Sequence, residues 1–395
     1  MSTLLRDALT DDSALPRLSR RLRLGIVGGG RIAATQAMAA RMTGYFDIVA
    51  GALSSDPESA SEKAKDFHIE ADRTYQSFAE MAEIEAQRAD GIDLVMVTTP
   101  NHLHYPAARA FMEQGIHVIC DKPLVNRVSE AESLVALASQ HNKIFAVGYV
   151  MSCFPMVRQA KSIVEAGLLG AINQIHVEFM QDWMVPPQTA DQPHVKWRLD
   201  PDKSGKTSCV GDIGTHAAHL ASFVTGHKLT DLRADFHVCG APKKLEDTVF
   251  MTTKYDHDIP GTLLATRLAS GNRGGLRLRV FGAKGGVEWD LESCDQLKLN
   301  LFGAPDQIIS RGHGHGVVPS VERLVRAGRG FPEGIIEAWG NLYSEIAVAI
   351  AAQNDGQLLP DSFNQFPKLI DGKDGVAFIE AAFASNAAGG IWVSL

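Results

Sequence analysis

The sequence predicts a doubly wound α/β domain followed by an α+β domain built on a large, open and mostly antiparallel sheet. Three observations predict it: strand and helix patterns alternate over the first 150 residues, a glycine-rich turn follows the first strand, and later strand patterns have hairpin spacing. At ~100–200 residues per domain, 395 residues favour two domains. We expect an N-terminal extension at 1–21, a first domain at 22–150 and a second domain at 151–395.

In the first domain, short apolar runs alternate with helical patterns. Strands are predicted at 22–27, 48–53, 94–98, 117–120 and 144–147. Helices are predicted at 32–42, 104–114 and 129–141, and Asp56-Pro57 is typical of a helix cap followed by proline in the first turn. Buried strands separated by helices of this length form a parallel sheet, in the manner of a Rossmann domain.

After residue 150 the pattern changes to alternating strands. In 172–183, Ile175, Val177, Phe179 and Trp183 share one face and polar residues share the other. Further strands are predicted near 232–239, 248–255, 262–268, 276–281 and 296–301, and helices near 335–352 and 374–387. Such a sheet is open to solvent or to a partner on one face.

Composition and cysteine usage exclude several classes of protein. Lysine and arginine total 38 and aspartate and glutamate 46, and the net charge of −8 is opposite to the basic footprint of general nucleic-acid binding. No apolar run approaches the ~18 residues of a membrane span. Five widely spaced cysteines without a C-x-x-C pair indicate a reducing compartment. We therefore expect a cytoplasmic protein with no nucleic-acid or membrane partner, in which residues 1–21 are not a targeting segment.

The glycine-rich turn is the strongest single motif. Gly28-x-Gly30-x-x-Ala33 follows a predicted strand and opens a predicted helix. The first glycine permits a tight turn, the second lets a pyrophosphate approach the backbone, and the small third residue lets helix and strand pack closely. The helix N-terminus, at Arg31 and Ile32, attracts phosphates. The motif therefore predicts a bound dinucleotide, and a glycine-rich turn without a ligand is the alternative.

The end of the second strand bears on the choice between NAD and NADP. A carboxylate there would bind the ribose 2′-hydroxyl and favour NAD. The sequence instead has Ser54 and Ser55, and Asp56 is explained by the helix cap. Serines leave room for a 2′-phosphate, with Lys63 or Lys65 near it. We expect NAD(P) with Ser54 as a contact, and the serines favour NADP slightly.

Two further segments carry residues suited to proton transfer. Lys122 follows a predicted parallel strand, and ligands of doubly wound sheets bind at such strand ends. Asp212 and His216 are four residues apart on one helix face, and an imidazole titrates near neutral pH, at ~6.5. Each residue also has a structural interpretation: a solvated lysine, a helix cap and a packed histidine.

The histidine pairs do not predict a metal site. His102 and His104 are one residue apart, as are His313 and His315, and neither pair has a clear third ligand. His219 is interpreted as structural, because no further carboxylate can be placed beside it. We therefore expect no metal.

Taken together, these segments resemble the Gfo/Idh/MocA family of oxidoreductases, which includes glucose–fructose oxidoreductase and inositol dehydrogenase. The matching pieces follow the family's order over most of the chain: G-G-G-R-I-A at 28–33, T-P-N-x-x-H at 99–104, D-K-P-L at 121–124, G-L-L-G-A-I at 167–172 and G-D-I-G-T-H at 211–216. The resemblance implies a Rossmann domain and a C-terminal α+β domain that binds substrate and mediates homo-oligomerisation, as a dimer or tetramer.

The resemblance also implies roles for individual residues. The family's catalytic lysine, aspartate and histidine correspond to Lys122, Asp212 and His216. The cofactor site implied beside Lys122 contains Thr99, Pro100, Asn101, His104 and Asp121. Asp121 is a departure, because the family's usual Glu-Lys-Pro is Asp-Lys-Pro here.

The implied chemistry is hydride transfer between a nicotinamide and a secondary alcohol of a sugar, anhydrosugar or cyclitol. His216 is the expected base for the hydroxyl, Lys122 stabilises the developing alkoxide, and Asp212 orients the sugar or His216. Three alternatives remain: a keto-sugar reductase, a non-catalytic dinucleotide-binding regulator, and glycoside cleavage through transient oxidation by tightly held NAD.

The segments around two tryptophans resemble the corresponding segments of family members that act on cyclic polyols. Trp183 and Trp197 could offer flat faces to a sugar ring, with Arg198 and Asp200 binding its hydroxyls. The alternative is that both tryptophans belong to the hydrophobic core.

Overall fold

The computed structural model describes residues 14–186, 189, 192–241, 243–312 and 317–395, which divide into two compact units. The first unit contains the described residues up to Val125, Ser129–Cys153 and Ile335–Gly372. The second contains Asn126–Val128, the described residues of 154–334, and Lys373–Leu395. Each unit combines segments that are distant in the sequence, because residues 335–372 pack in the first unit although they follow most of the second.

The longer helices lie mostly where the periodicity predicts them. Among the described residues, the helices of ten or more residues are α1 (Arg31–Met42), α2 (Pro57–Phe67), α3 (Phe78–Gln87), α4 (His104–Glu113), α5 (Val128–His141), α6 (Pro155–Glu165), α7 (Thr215–Thr225), α8 (Ile335–Asn354) and α9 (Leu369–Ala387). Asp56 caps α2, as predicted, since its Oδ1 accepts a hydrogen bond from Ser59 N at 2.8 Å. None of the described helices is both long and apolar enough to cross a membrane.

The first unit is built on a parallel sheet. Its strands are β1 (Leu22–Val27), β2 (Phe46–Ala52), β3 (Leu94–Val97), β4 (His117–Cys120) and β5 (Phe145–Val147), in the order β2-β1-β3-β4-β5 within the described residues. Every neighbouring pair is parallel. The chain changes direction across the sheet between β1 and β3, and doubly wound folds bind ligands at the carboxyl ends of the strands at such a point.

Helix α8 packs against α1 in the first unit. Tyr343 on α8 donates a 2.8 Å hydrogen bond to Gln36 Oε1, and its ring meets the edge of Phe46 with 5.5 Å between centroids. All three side chains are buried. Residues from the C-terminal part of the sequence thus complete the core beside the first helix.

The second unit is built on a mostly antiparallel sheet. Its strands are β6 (Ile172–Met180), β7 (Leu229–His237), β8 (Thr248–Tyr255), β9 (Ile259–Thr266), β10 (Gly275–Gly282), β11 (Gly285–Asp290), β12 (Gln296–Leu301), β13 (Gln307–Ser310) and β14 (Val393–Ser394). Within the described residues the order is β13-β12-β11-β10-β6-β9-β8-β7-β14, and only β6 and β9 among these neighbours are parallel. Both predicted sheet types, and so the predicted fold class, are confirmed.

One face of this sheet is covered and the other carries exposed side chains. The side chains of β6 that alternate inward are buried: Ile175, Val177 and Phe179. Helix α7 packs on this strand, and its apolar residues Ala217, Leu220 and Val224 are buried. Phe250 and Phe281 are exposed on strands of the same sheet.

Candidate active site

The glycine turn has the shape that a pyrophosphate needs. Gly28 has φ +97°, and a Cβ on it would lie 2.9 Å from the backbone of Thr98, so glycine is required there. A Cβ on Gly30 would meet no atom within 4 Å among the described residues. Gly30 is also the N-cap of α1, and no side chain of this residue caps the first amides of the helix. This turn therefore fits the phosphates of a dinucleotide.

The first turn of α1 adds no negative charge to this anion site. Arg31 is exposed and Ile32 half-buried, and the turn contains no acidic residue. Beside it, the Thr99 Oγ1 is buried and has no hydrogen-bond partner among the described residues. An unpaired hydroxyl next to an anion-binding turn is available to a ligand.

The end of β2 presents serine and lysine. Ser54 Oγ accepts a hydrogen bond from Asp56 N at 3.2 Å, in a turn that leads to the capped start of α2. Lys63 reaches back along this turn: its Nζ lies 3.5 Å from Leu53 O, and its Cδ would lie 2.6 Å from a Cβ on Gly29. Lys63 is therefore the cation that lies beside both the glycine turn and the end of β2.

His104 joins the loops that follow β3 and β4. Its Nε2 lies 2.8 Å from Thr99 O and its Nδ1 lies 2.9 Å from Pro123 O. The ring is buried, and this burial lowers its pKa although the nearby charge of Asp121 opposes the shift. Each ring nitrogen thus lies within hydrogen-bond distance of a backbone carbonyl of one loop, and the neutral ring donates to one of the two carbonyls at a time. Pro100 is half-buried and Asn101 buried on the same loop.

Lys122 lies where the sequence placed it, directly after β4. Asp121 Oδ1 accepts a 2.8 Å hydrogen bond from Lys122 N, and Asp121 N donates to Val97 O on the neighbouring strand. The Lys122–Pro123 peptide bond is cis. Lys122 is half-buried, which differs from a fully solvated surface lysine. It shares the carboxyl edge of the parallel sheet with the glycine turn, where ligands of such sheets bind.

In the second unit, Asp212 lies just before α7 and His216 lies in the first turn of that helix. Asp212 lies in a single π turn, Val210–Gly214, that runs into α7, and π turns are frequent at functional sites. His216 is buried, with its ring 6.4 Å from that of Phe179. The two residues are therefore one helical turn apart. The π turn between them is wider than an α-helical turn, and the four-residue spacing did not predict it.

Two arginines flank Asp212. Arg198 Nε lies 3.6 Å from its Oδ1, and Arg267 Nη1 lies 3.6 Å from its Oδ2. Arg267 is fully buried and also donates hydrogen bonds to Ser208 Oγ at 2.5 Å and to Glu246 O at 3.3 Å. Both guanidinium groups thus lie within ion-pair distance of the Asp212 carboxylate, although 3.6 Å is longer than a hydrogen bond.

The buried carboxylate of Glu246 fixes the start of the π turn. It accepts hydrogen bonds from Ser208 N at 2.9 Å and from Val210 N at 2.9 Å. Burial raises its pKa, and these backbone donors oppose the shift. Arg267 and Glu246 were not found from the sequence. They come together because they border β9 and β8, which pair antiparallel, and no local motif signals this.

The two tryptophans lie near arginines and outside the hydrophobic core. Trp183 Nε1 donates to Gln181 Oε1 at 2.7 Å, and the Arg267 guanidinium carbon is 5.4 Å from its ring centre. Arg198 stacks 4.3 Å from the ring centre of Trp197. Both rings are half-buried, unlike core tryptophans such as Trp289.

The second unit brings together most of the predicted substrate residues. Arg267 lies beside both the Trp183 ring and the Asp212 carboxylate. Arg198 also lies beside Asp212, and it stacks on Trp197. Asp200 has a different local role, since its Oδ1 accepts a hydrogen bond from Asp202 N and caps the short helix Pro201–Ser204.

The histidines considered as metal ligands have other surroundings. His102 is exposed, whereas both ring nitrogens of His104 are engaged by carbonyls. His219 stacks on Phe223 with 5.8 Å between ring centres. His313 and His315 lie outside the described residues.

Comparisons with known proteins identify the family. Residues 22–149 match the model of an oxidoreductase family with an NAD-binding Rossmann fold, and residues 157–288 match the C-terminal domain of the same GFO/IDH/MocA family. An uncharacterized oxidoreductase of Bacillus subtilis (strain 168), YfiI, is 31% identical over 95% of this chain and 97% of its own length. The chain belongs to the Gfo/Idh/MocA oxidoreductase family. The resemblance inferred from the motifs is confirmed.

Two further proteins that are similar to this chain have names that refer to dehydrogenases. An inositol dehydrogenase homolog from Azotobacter vinelandii, solved with NAD+, has a TM-score of 0.90 and 31% identity over 98% of this chain and all of its own. The same protein was solved with NADH and myo-inositol, with a TM-score of 0.87. A levoglucosan dehydrogenase of Pseudarthrobacter phenanthrenivorans is 26% identical over 95% of this chain and 98% of its own length.

Proposed function

We propose that this oxidoreductase oxidises a secondary alcohol of a sugar, anhydrosugar or cyclitol, with NAD(P) as hydride acceptor. The observation that carries the proposal is the cluster in the second unit, where two arginines hold Asp212 one turn before His216. A carboxylate fixed in this way offers a defined acceptor to sugar hydroxyls. Similarity to a protein solved with NADH and myo-inositol supports the polyol class.

Oxidation of a secondary alcohol removes one hydride and one proton, and the proposed roles account for both. When bound, the dinucleotide accepts the hydride from the carbinol carbon. His216 takes the proton of the reacting hydroxyl, so that the secondary alcohol becomes a ketone. Lys122, in the first unit, has the proposed role of stabilising developing negative charge on a reacting oxygen. Asp212 orients the sugar or the imidazole. The reverse reaction, reduction of a keto-sugar, uses the same groups.

A substrate panel tests the proposal. Cyclitols, aldoses and anhydrosugars are each mixed with NAD and with NADP, and reduced cofactor is followed at 340 nm. We expect at least one polyol to give sustained reduction. If the protein binds dinucleotide but catalyses no redox reaction with any of these compounds, the result would support the alternative of a non-catalytic dinucleotide-binding regulator. Glycoside cleavage without net cofactor turnover would identify the transient-oxidation mechanism.

Cofactor preference depends on the end of β2, and we propose that NADP is accepted there with a slight preference. Ser54→Asp should shift the NAD-to-NADP ratio of kcat/KM toward NAD by about tenfold or more, because it adds a ribose acceptor and repels a 2′-phosphate. Lys63→Ala should shift the ratio the same way through loss of a cation near the glycine turn. Initial rates at varied cofactor concentration measure both.

Lys65→Ala is the matched control for Lys63, because Lys65 is exposed two residues further along α2. Its ratio should equal that of the wild type. An unchanged ratio in the Ser54 variant would show that the adenosine ribose binds elsewhere, and NADP preference would lose its support.

A substitution at Trp183 tests whether its ring contacts the sugar. Trp183→Ala should raise KM for the polyol about tenfold, the equivalent of ~1.4 kcal/mol of ring contact, while dinucleotide affinity stays unchanged. The control is Trp392→Ala, since this half-exposed tryptophan also carries a cation, Lys254 at 4.9 Å, and lies at the C-terminal edge. A large fall in Tm with unchanged KM in the Trp183 variant would instead assign that ring to the core.

We further propose a cytoplasmic homo-oligomer, either dimer or tetramer. All five cysteines carry free thiols, as expected in a reducing compartment. Phe250 and Phe281, about half-exposed on the sheet of the second unit, supply apolar area for a partner copy.

A further inference from the structure

A second cluster of ligand-type side chains lies in the second unit, apart from the residues to which the proposed mechanism assigns roles. His227 follows the end of α7 by two residues, and Asp256 and His257 lie at the tip of the hairpin between β8 and β9. One donor atom from each of the three lies within 4.8 Å of the others. The sequence did not suggest this cluster, because His227 is 29 residues before the adjacent pair Asp256 and His257, and the three form no spaced motif.

The carboxylate of this cluster is anchored by the backbone. Asp256 Oδ1 lies 2.5 Å from His227 Nδ1, and Asp256 Oδ2 accepts a 3.1 Å hydrogen bond from Lys228 N. Asp256 N in turn donates to Lys228 O at 2.8 Å. The segment after α7 and the hairpin tip are therefore joined side by side, which holds two of the three groups in register.

The third group is held by an uncommon backbone conformation. His257 has φ +59° and Asp258 has φ +60°, both in the left-handed region that glycine and asparagine adopt at lower cost in hairpin turns. In this conformation the exposed His257 ring stands edge-on to His227, with 5.9 Å between centroids. The turn thus presents an imidazole beside the His227–Asp256 pair.

We propose that His227, Asp256 and His257 bind a divalent transition-metal ion of the Zn²⁺ class. Two imidazole nitrogens and one carboxylate oxygen suit zinc and its neighbours, whereas Mg²⁺ and Ca²⁺ prefer all-oxygen sites. Bonds of ~2.0–2.2 Å in a tetrahedral site place neighbouring donor atoms about 3.4 Å apart, so the ion would replace the His227–Asp256 hydrogen bond and the His257 ring would approach it. Side chains at the rim of the unit, with His257 exposed, can make this small movement without disturbing the core.

The bound ion would tie the end of α7 to the β8–β9 hairpin. This goes beyond the proposed dehydrogenase reaction and does not rest on it, because none of the three residues has a role in that reaction. The expected effect is on stability, since an ion that binds the folded state alone stabilises it by mass action.

The experiment uses the full chain without a histidine tag, stripped with EDTA and dialysed. Titration with ZnCl₂ in a calorimeter should give a binding event that His257→Asn weakens at least ~10-fold, since even outer-shell changes at metal sites cost that much. Asparagine tolerates a positive φ, so this variant keeps the turn. His227→Gln should weaken the same event, and saturating Zn²⁺ should raise the Tm of the wild type more than that of either variant.

The matched control is His237→Asn. His237 also pairs with an aspartate, Asp235 at 3.1 Å, on a strand of the same sheet, and belongs to no three-ligand group among the described residues. Zinc affinity in this variant should equal that of the wild type. Absence of stoichiometric zinc binding, or zinc binding that is unchanged in both His257→Asn and His227→Gln, would overturn the proposal.

Discussion

Lys122→Ala and His216→Ala should each lower kcat by ~10²-fold or more while the dinucleotide still binds. Lys122 is half-buried at the carboxyl end of β4, and His216 is buried one turn after Asp212. The proposed role of Lys122 is to stabilise developing negative charge, and that of His216 is to accept a proton. Steady-state kinetics with the best polyol, together with a fluorescence titration of the reduced cofactor, separates the loss of turnover from a loss of binding.

Two controls match these variants in place and chemistry. Lys143 is also half-buried but lies at the amino end of β5, the opposite edge of the same sheet, and Lys143→Ala should keep kcat. His219→Ala removes the other histidine of α7, which stacks on Phe223, and should keep kcat as well. A His216→Ala enzyme that retains a third or more of wild-type kcat would show that another group is the base, and an unchanged kcat in both variants would show that the reaction depends on neither side chain.

Arg267→Met should be the most destabilising change at the candidate site. The guanidinium is fully buried and contacts Asp212, Ser208 and the Glu246 carbonyl, so its loss leaves buried polar groups without their donor. Removing one partner of a buried charged network costs about 3–5 kcal/mol. The expected result is a clear fall in the free energy of unfolding, measured by denaturant titration. Arg277→Met is the control, because that arginine is half-exposed on β10 and its ion pairs are at the surface.

Arg267→Lys separates positioning from stability. Lysine keeps a charge but loses the fork that reaches Asp212 and Ser208 together. If Arg267 acts by holding Asp212, then Arg267→Lys lowers kcat/KM in the wild type and has little further effect in Asp212→Asn. Additive losses in the double variant, or an unchanged kcat/KM in Arg267→Lys, would mean that Arg267 only supports the fold.

Local patterns predicted the elements that carry the dinucleotide motif. The helix cap at Asp56, the strand 117–120 and the ordering of strands and helices around the glycine turn all depend on neighbours in sequence, and the structure confirms them. Helix α6 was not predicted, and Pro155 occupies its first turn, where proline is favourable. Strands β11 and β13 were missed because one begins with two glycines and the other has only four residues.

The groups that surround the predicted site residues could not be inferred in this way. Arg267 reaches Asp212 because the π turn Val210–Gly214 packs against β9, which brings residues 55 positions apart together. Likewise, His104 was expected at the cofactor, but both ring nitrogens contact backbone carbonyls of two loops, which depends on the order of β3 and β4 in the sheet. Side chains that act through long-range contacts carry no signal in local spacing.

Isotope transfer is the most direct test of the proposed reaction. The best polyol of the panel is prepared with deuterium on its carbinol carbons and incubated with the enzyme and oxidised cofactor. Proton NMR of the reduced cofactor then shows whether C4 of the nicotinamide carries deuterium. We expect one deuterium at C4 together with formation of the ketone, both at a rate ~10²-fold lower in the Lys122→Ala enzyme. Product formed with no deuterium in the cofactor, or cofactor that binds and is never reduced, would contradict the proposed dehydrogenase.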